Sequence, residues 1–344
     1  MQDRDAILLK GITKSDRGIE VAPWFSPRAS KRAGYDCLSL DVFDTETLRR
    51  KGLADPNIGE AGIGRLEDVD LVGSASDIAD LVAGKYTLGS FDYIVSSHNF
   101  EHLPDPIRFL QGCQAVLRPG GCLTMAVPDR RCCFDYFRPL TMVGDWLTAF
   151  AEQRKAPTPA QVFATNSCFG GVRKPGRRLE TSFSMTRSPA GFTTSNTIEA
   201  AYATFLAGIG EPSSEYRDAH CTVMTPASLE LMLLECRQLG LINFRQIEVS
   251  TTVTSEFFAR LTNASAAETG VMPATEFATI RNRLLHKVVD ENAMGSAWAH
   301  QHSRLLPRLR RQAAELSTVA RFVAGRVRST PINAAQAIWR RISS

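Results

Sequence analysis

Phe91-Asp-Tyr-Ile-Val-Ser-Ser-His-Asn-Phe-Glu-His-Leu-Pro-Asp-Pro106, taken up again by Val116-Leu-Arg-Pro-Gly-Gly-Cys-Leu-Thr-Met-Ala-Val-Pro-Asp-Arg-Arg131, decides the fold. The apolar run Tyr93 to Val95 ends abruptly in Ser96, Ser97, His98 and Asn99. Polar side chains therefore stand just past the carboxyl end of a buried strand, where open α/β sheets bind ligands. Ile107, Leu110, Cys113 (or Gln114) and Leu117 recur at helical spacing, and Pro119, Gly120 and Gly121 stop that helix before a further strand, Cys122 to Val127. The stretch is one complete βαβ unit.

Upstream, the apolar runs Gly18 to Ala22, Cys37 to Val42 and Val69 to Val72 alternate with polar or helical sequence, which predicts a parallel sheet covered by helices. Right-handed crossovers then bring the strand ends to one edge. From Ala151 to Asp218, Pro157, Pro159, Gly170, Gly171, Pro175 and Gly176 punctuate the pattern, so loops with short helices are expected there, as a cover for a substrate. Regularity returns at Thr225, which can cap a helix carrying Pro226 in its first turn and ending at Gly240. Ile242 to Val253 and Glu256 to Leu261 read as two more strands. Leu306, Leu309, Ala313, Leu316, Ala320, Val323 and Val327 then form an unbroken three-four stripe, a helix that needs a partner surface.

The 344 residues are 44% hydrophobic and 22% charged, ordinary for a globular chain with a sizeable core. No apolar run is long enough to cross a bilayer, and Met1 to Lys10 lacks the apolar core of a signal peptide, so a cytoplasmic location is expected. The eight cysteines show no Cys-x-x-Cys spacing, so they read as reduced thiols, and no metal site is read from the sequence. The net charge of +4 hides an asymmetry: residues 301–344 hold nine Arg against Glu315 alone, leaving the rest at −4. A mildly acidic body argues against nucleic-acid binding. The basic tail is expected either to pack on the body or on a twin subunit, or to hold anionic lipid at the inner membrane surface.

The opening stretch resembles the second half of a class I S-adenosylmethionine-dependent methyltransferase domain, in which a polar strand end, a Glu-His-Leu helix start and a Leu-Arg-Pro-Gly-Gly turn recur in this order. The closer likeness is to a bacterial group often found with sugar and polysaccharide genes, whose fifth strand runs into sequence like Val127 to Thr141. The likeness covers Gly18 to Thr141 well and Tyr216 to Leu261 weakly. It implies a Rossmann-like, doubly wound α/β fold with a mostly parallel seven-stranded sheet, an antiparallel edge and a helical C-terminal extension. Residues 1–150 would form the cofactor-binding core, 151–218 the insertion, 219–261 the completion of the core and 262–344 the extension.

The resemblance also assigns residues. Glu20 would face the cofactor's amino-acid end, or else cap a loop, and Ala22, Pro23 and Trp24 stand where the family's turn has glycines. Asp41, ending the second strand, can accept both ribose hydroxyls in a bidentate way. Asp77, with Ile78, is matched to the adenine amino group and ring, with helix capping as a compatible alternative. Ser97 and His98 lie where the reactive methyl should be. Glu101 and His102 open a helix and are expected to orient the backbone. His220 resembles a family histidine at the cleft and is the expected base, with His98 as the alternative. Asp129, Arg130 and Arg131, beside Phe134, Tyr136 and Phe137, would hydrogen-bond and stack a glycan acceptor, or form an internal salt-bridge network.

The leading functional expectation is O-methylation of a sugar or glycan intermediate of surface polysaccharide, with S-adenosyl-L-methionine as donor. A non-catalytic partner or regulatory subunit in polysaccharide assembly is the competing one. A nicotinamide dehydrogenase ranks behind both, because no G-x-G-x-x-G opens the first helix.

Overall fold

The apolar runs fold into strands, all but the two-residue β3 buried over most of their length: β1 (Arg17–Val21), β2 (Asp36–Asp41), β3 (Leu71–Val72), β4 (Phe91–Ser97) and β5 (Leu117–Pro128). The structure is a computed structural model describing residues 4–294, except 56–57, 175, 186–188, 190, 210–217, 266 and 269–270. A two-residue hairpin, β6 (Gly170–Gly171) with β7 (Thr193–Thr194), lies in the insertion. β8 (Phe244–Val249) and β9 (Glu256–Asn263) complete a seven-stranded sheet of order β3-β2-β1-β4-β5-β9-β8. β1 to β5 are parallel, and β9 runs antiparallel to both β5 and β8. The expected antiparallel edge is therefore one reversed strand inside the sheet, and β8 returns to the common direction.

Helices connect the strands in chain order: α1 (Arg4–Leu8), α2 (Thr45–Ala54), α3 (Gly59–Ile63), α4 (Ile78–Ala83) and α5 (Pro106–Val116). After β5 come α6 (Val143–Ala151), α7 (Pro159–Ser167), α8 (Ile198–Leu206), α9 (Pro226–Gln238) and α10 (Ala274–Met294). α5 starts where Asp105 accepts the Arg108 N–H (3.0 Å) and Pro106 fills the first position, whose N–H would have no helical partner. It buries Ile107, Phe109, Leu110, Cys113 and Val116 completely; cutting Leu110 to Ala would cost about 2 to 5 kcal/mol.

The Pro-Gly-Gly turn does something other than separate two elements. β5 begins at Leu117, opposite Phe91, and the ladder resumes at Cys122 opposite Tyr93, so the turn is bulged out of a continuous strand. Gly120 sits there at φ 80°, and a Cβ on Gly121 would lie 3.0 Å from the carbonyl oxygens of Phe91, Asp92 and Arg118. On β1, Gly18 faces Tyr93, whose ring occupies the space a side chain would take.

α9 is capped from within. The Ser228 hydroxyl accepts the Thr225 N–H (2.8 Å), whereas the Thr225 hydroxyl accepts nothing, a correction to the expected cap; Gly240 at φ 71° follows the helix. α10 packs Leu284 and Val288 on Ala227, Leu231 and Leu234 of α9, with Arg281 bonded to Glu235 at 2.7 Å. The chain divides into units Met1–Asn292 and Ala293–Ser344, so α10 belongs almost wholly to the body. The Leu306 to Val327 stripe lies outside the described residues, as do His300 and His302; His286 is exposed.

Candidate active site

The strand order reverses between β1 and its two neighbours, β2 and β4, and the chain's large cleft, about 800 Å³, opens at the carboxyl ends of these strands. Each strand delivers its terminal residues to the wall: Glu20, Val21 and Ala22 from β1, Leu40, Asp41 and Val42 from β2, Ser74 and Ala75 after β3, and Ser97 and His98 from β4. Arg4, Trp24, Phe43, Asn99, His102, Leu103, Pro104 and Asp218 line it too, and the insertion adds Lys155, Ala156, Pro157 and Pro159.

The glycine-poor first turn keeps a glycine-like backbone. Ala22 and Trp24 both have φ 49°, the left-handed region that residues with a Cβ enter at a cost of roughly 1 to 3 kcal/mol, and that strain clusters at ligand sites. Glu20 holds this turn's far side: its carboxylate accepts the Arg28 N–H (2.8 and 2.9 Å) and the Ala29 N–H (2.9 Å). Burial pushes its pKa up to about 7 against the pull of those donors. Glu20 therefore lines the cleft as the clamp of the 23–30 loop, the loop-capping role.

Asp41 is buried at the cleft wall, with Oδ1 accepting the Phe43 N–H at 3.0 Å, and burial raises its pKa. Asp77 and Ile78 depart from expectation. The single 3₁₀ turn Ala75–Asp77 carries Asp77 past the cleft, where its carboxylate meets Arg108 Nη2 at 2.8 Å in a separate surface hollow. Ile78 is fully buried against Gly112 of α5, and Asp77 makes no side-chain cap. Ser74 and Ala75 stand at the cleft in their place.

His98 takes φ 52° at the end of β4, with Nε2 2.8 Å from Glu256 Oε2 and Nδ1 3.5 Å from Glu101 Oε1. Burial disfavours its imidazolium, but the two carboxylates outweigh this and push its pKa up to about 9. Both of its ring nitrogens therefore face carboxylates. Ser97 accepts from Arg4 Nη2 (2.8 Å), and Arg4 also pairs with Glu256 (2.7 Å), so α1 is tied to this corner.

His220 is 4% exposed and lies behind His102, whose ring meets it edge-on at 4.6 Å. Its Nδ1 bonds Asp135, which Arg138 also holds at 2.7 Å. Burial opposes the Asp135 charge, but His220 and Arg138 outweigh it and keep its pKa low. His102, expected only to orient backbone, is the ring on the cleft wall, with Nδ1 2.7 Å from Asp218 Oδ1.

Asp129, Arg130 and Arg131 do not line the cleft. Asp129 is fully buried, accepting from Arg131 N (2.9 Å), Nε (3.0 Å) and Nη2 (2.6 Å) and from the Thr252 hydroxyl, and Arg130 bonds the Arg138 carbonyl and Asn292. The expected acceptor contacts are thus an internal network: a doubly charged pair is stable inside only with its lone pairs satisfied, as here. Phe134 stacks on Phe169 at 4.5 Å, and Tyr136 and Phe137 pack on Phe192 of the insertion. Sequence reasoning did not assign to the site the side chains of Trp24, 42% exposed at the cleft, of Ser74 or of His102, nor that of Asp218 ahead of α9.

The methyltransferase-domain family matches residues 15–236. The chain belongs to that family. The family's methyl donor is S-adenosylmethionine, and the seven-stranded topology and switch-point cleft are those of a class I domain. No curated protein matches the sequence. Among solved structures, the domain is similar to an S-adenosylmethionine-dependent methyltransferase of Thermotoga maritima, at 12% identity over 75% of this chain and 87% of that one, TM-score 0.36. It is also similar to the CurJ carbon methyltransferase, at 9% identity, 74% and 50% coverage and TM-score 0.36, and to the methyltransferase SibL, at 14% identity, 76% and 55% coverage and TM-score 0.35. The chain thus spans half the length of the CurJ structure and about half that of SibL.

The cleft fits the donor. Its volume lies in the range of small-molecule sites, an acid at the end of β2 suits a diol, and the apolar Leu40, Val42, Phe43, Ala75 and Leu103 suit a purine face.

Proposed function

We propose that the protein transfers the S-adenosylmethionine methyl group to an oxygen of a sugar or glycan intermediate, in the cytoplasm and in the service of surface polysaccharide. The carrying observation is that one cleft is lined both by the strand ends that would hold the cofactor and by a wall that includes the polar Asn99, His102 and Asp218 and the partly exposed Trp24. Such a wall supports a polyhydroxylated acceptor, because an indole stacks on a sugar's apolar face while short polar groups bond its hydroxyls.

Bound S-adenosylmethionine supplies an activated methyl; the protein supplies position. Asp41 would hold the ribose hydroxyls, and the Ala22–Trp24 turn would bring backbone close to the amino-acid end. The Arg4–Glu256–His98 array would fix the β4 end beside the acceptor. Residues 151–218 would cover the acceptor and exclude water, while the Arg-rich 301–344 segment would hold a twin subunit or the inner membrane surface.

Calorimetry with S-adenosylmethionine, followed by mass-spectrometric detection of methylated product over a panel of nucleotide sugars and glycans, tests the reading. Micromolar binding with methylated sugar is expected. Binding without transfer to any acceptor would favour the regulatory subunit, and no binding would overturn both.

A further inference from the structure

Glu101 is 1% exposed, and neither of its carboxylate oxygens accepts a hydrogen bond; His98 Nδ1 stands off at 3.5 Å. A buried carboxylate is costly unless its oxygens are met by donors or a cation in close contact, and His98 is too distant to hydrogen-bond it. Two imidazoles point the right atoms at it. His102 Nε2 is 3.8 Å and His220 Nε2 4.0 Å from Glu101 Oε1, and the three ligand atoms lie within 4.8 Å of one another.

Both rings are held from behind by acids. His102 Nδ1 lies 2.7 Å from Asp218 and His220 Nδ1 bonds Asp135, so each turns Nε2 toward Glu101. Carboxylate, histidine and metal in line is the arrangement that fixes tautomer and orientation at metal sites. The backbone is braced as well, since the Glu101 carbonyl accepts the N–H groups of Cys221 (2.7 Å) and Thr222 (3.0 Å), locking the His220 segment over the Glu101 turn.

We propose that Glu101, His102 and His220 form a binding site for one divalent transition-metal ion. Two imidazole nitrogens with one carboxylate select zinc or ferrous iron over magnesium or calcium, which take oxygen ligands, and leave coordination positions open. The ligand atoms need close by only about an ångström to reach bonding distances near 2.1 Å. His102 places the site at the cleft floor. The proposal does not depend on the methyl-transfer reading, because its test reads metal.

The test uses the full, untagged chain freed of metal with a chelator, then titrated with zinc by calorimetry and with cobalt(II) by visible absorption. One zinc per chain and a cobalt spectrum of nitrogen and oxygen ligation without thiolate bands are expected. Glu101→Gln should weaken zinc by at least about 100-fold, and Asp218→Asn, at a carboxylate 68% exposed, by roughly 10- to 100-fold without loss of fold. His286→Ala should change nothing. Should Glu101→Gln fail to fold, Asp218→Asn decides. Absence of stoichiometric zinc, a thiolate spectrum, or equal affinity in wild type and Asp218→Asn would overturn the site.

Discussion

Glu20 makes the stability of the chain depend on pH in a direction opposite to that of most carboxylates. Burial raises its pKa from 4.5 to about 7. At about 1.4 kcal/mol per pH unit, ionising it in the folded chain costs about 3 kcal/mol more than in the unfolded one. Below pH 4.5 both states hold the proton, and above pH 7 both have lost it. Between these values only the folded chain keeps it, so stability falls as pH rises through the window. The geometry tolerates the neutral acid, because Oε2 alone accepts both the Arg28 and the Ala29 N–H at 2.9 Å. Glu20→Gln removes the charge while preserving that oxygen. In urea unfolding at about pH 5 and about pH 8, the variant should gain up to about 3 kcal/mol on wild type between the two conditions. A difference between the proteins that stays the same at both pH values would refute the reasoning.

Asp41→Ala should weaken S-adenosylmethionine binding by roughly 30- to 150-fold, the loss of a two-pronged hydrogen bond worth about 2 to 3 kcal/mol, with the fold intact; unchanged calorimetric affinity would remove Asp41 from the site. Ala22→Gly should leave stability unchanged or raise it by up to about 1 kcal/mol, whereas Ala22→Val at the same left-handed φ should lose at least about 2 kcal/mol, compared by thermal melting. His220→Ala should destabilise by about 3 kcal/mol in urea, since it strips Asp135 of one of its two nitrogen partners in the interior; unchanged stability would refute this. Removing residues 301–344 should change mass by light scattering or abolish salt-sensitive pelleting with anionic vesicles, and no change in either would sink both roles for the tail.

The sheet was legible because buried parallel strands write themselves as apolar runs, and Tyr93 to Val95 with its polar stop located the cleft directly. Side-chain direction was not legible in the same way. A 3₁₀ turn is enough to swing Asp77 to the wrong side of the wall, and nothing in Ala75-Ser-Asp distinguishes it from an α-helical start. The sequence left Asp129 and Arg131 open between acceptor contacts and an internal network, and the burial of Asp129 together with the Thr252 hydroxyl, more than a hundred residues away, decides for the network. His102 and His220 share the same difficulty: 118 positions separate two rings in contact.

The cleft draws its two walls from parts of the chain that answer to different constraints. The strand ends that line it belong to the core sheet, where a change at β1 or β2 is felt by the neighbouring strands. Lys155, Ala156, Pro157 and Pro159 belong to an excursion outside that sheet. Substitutions can accumulate in the second wall without touching the first, so descendants of this chain could exchange one acceptor for another while inheriting the same donor.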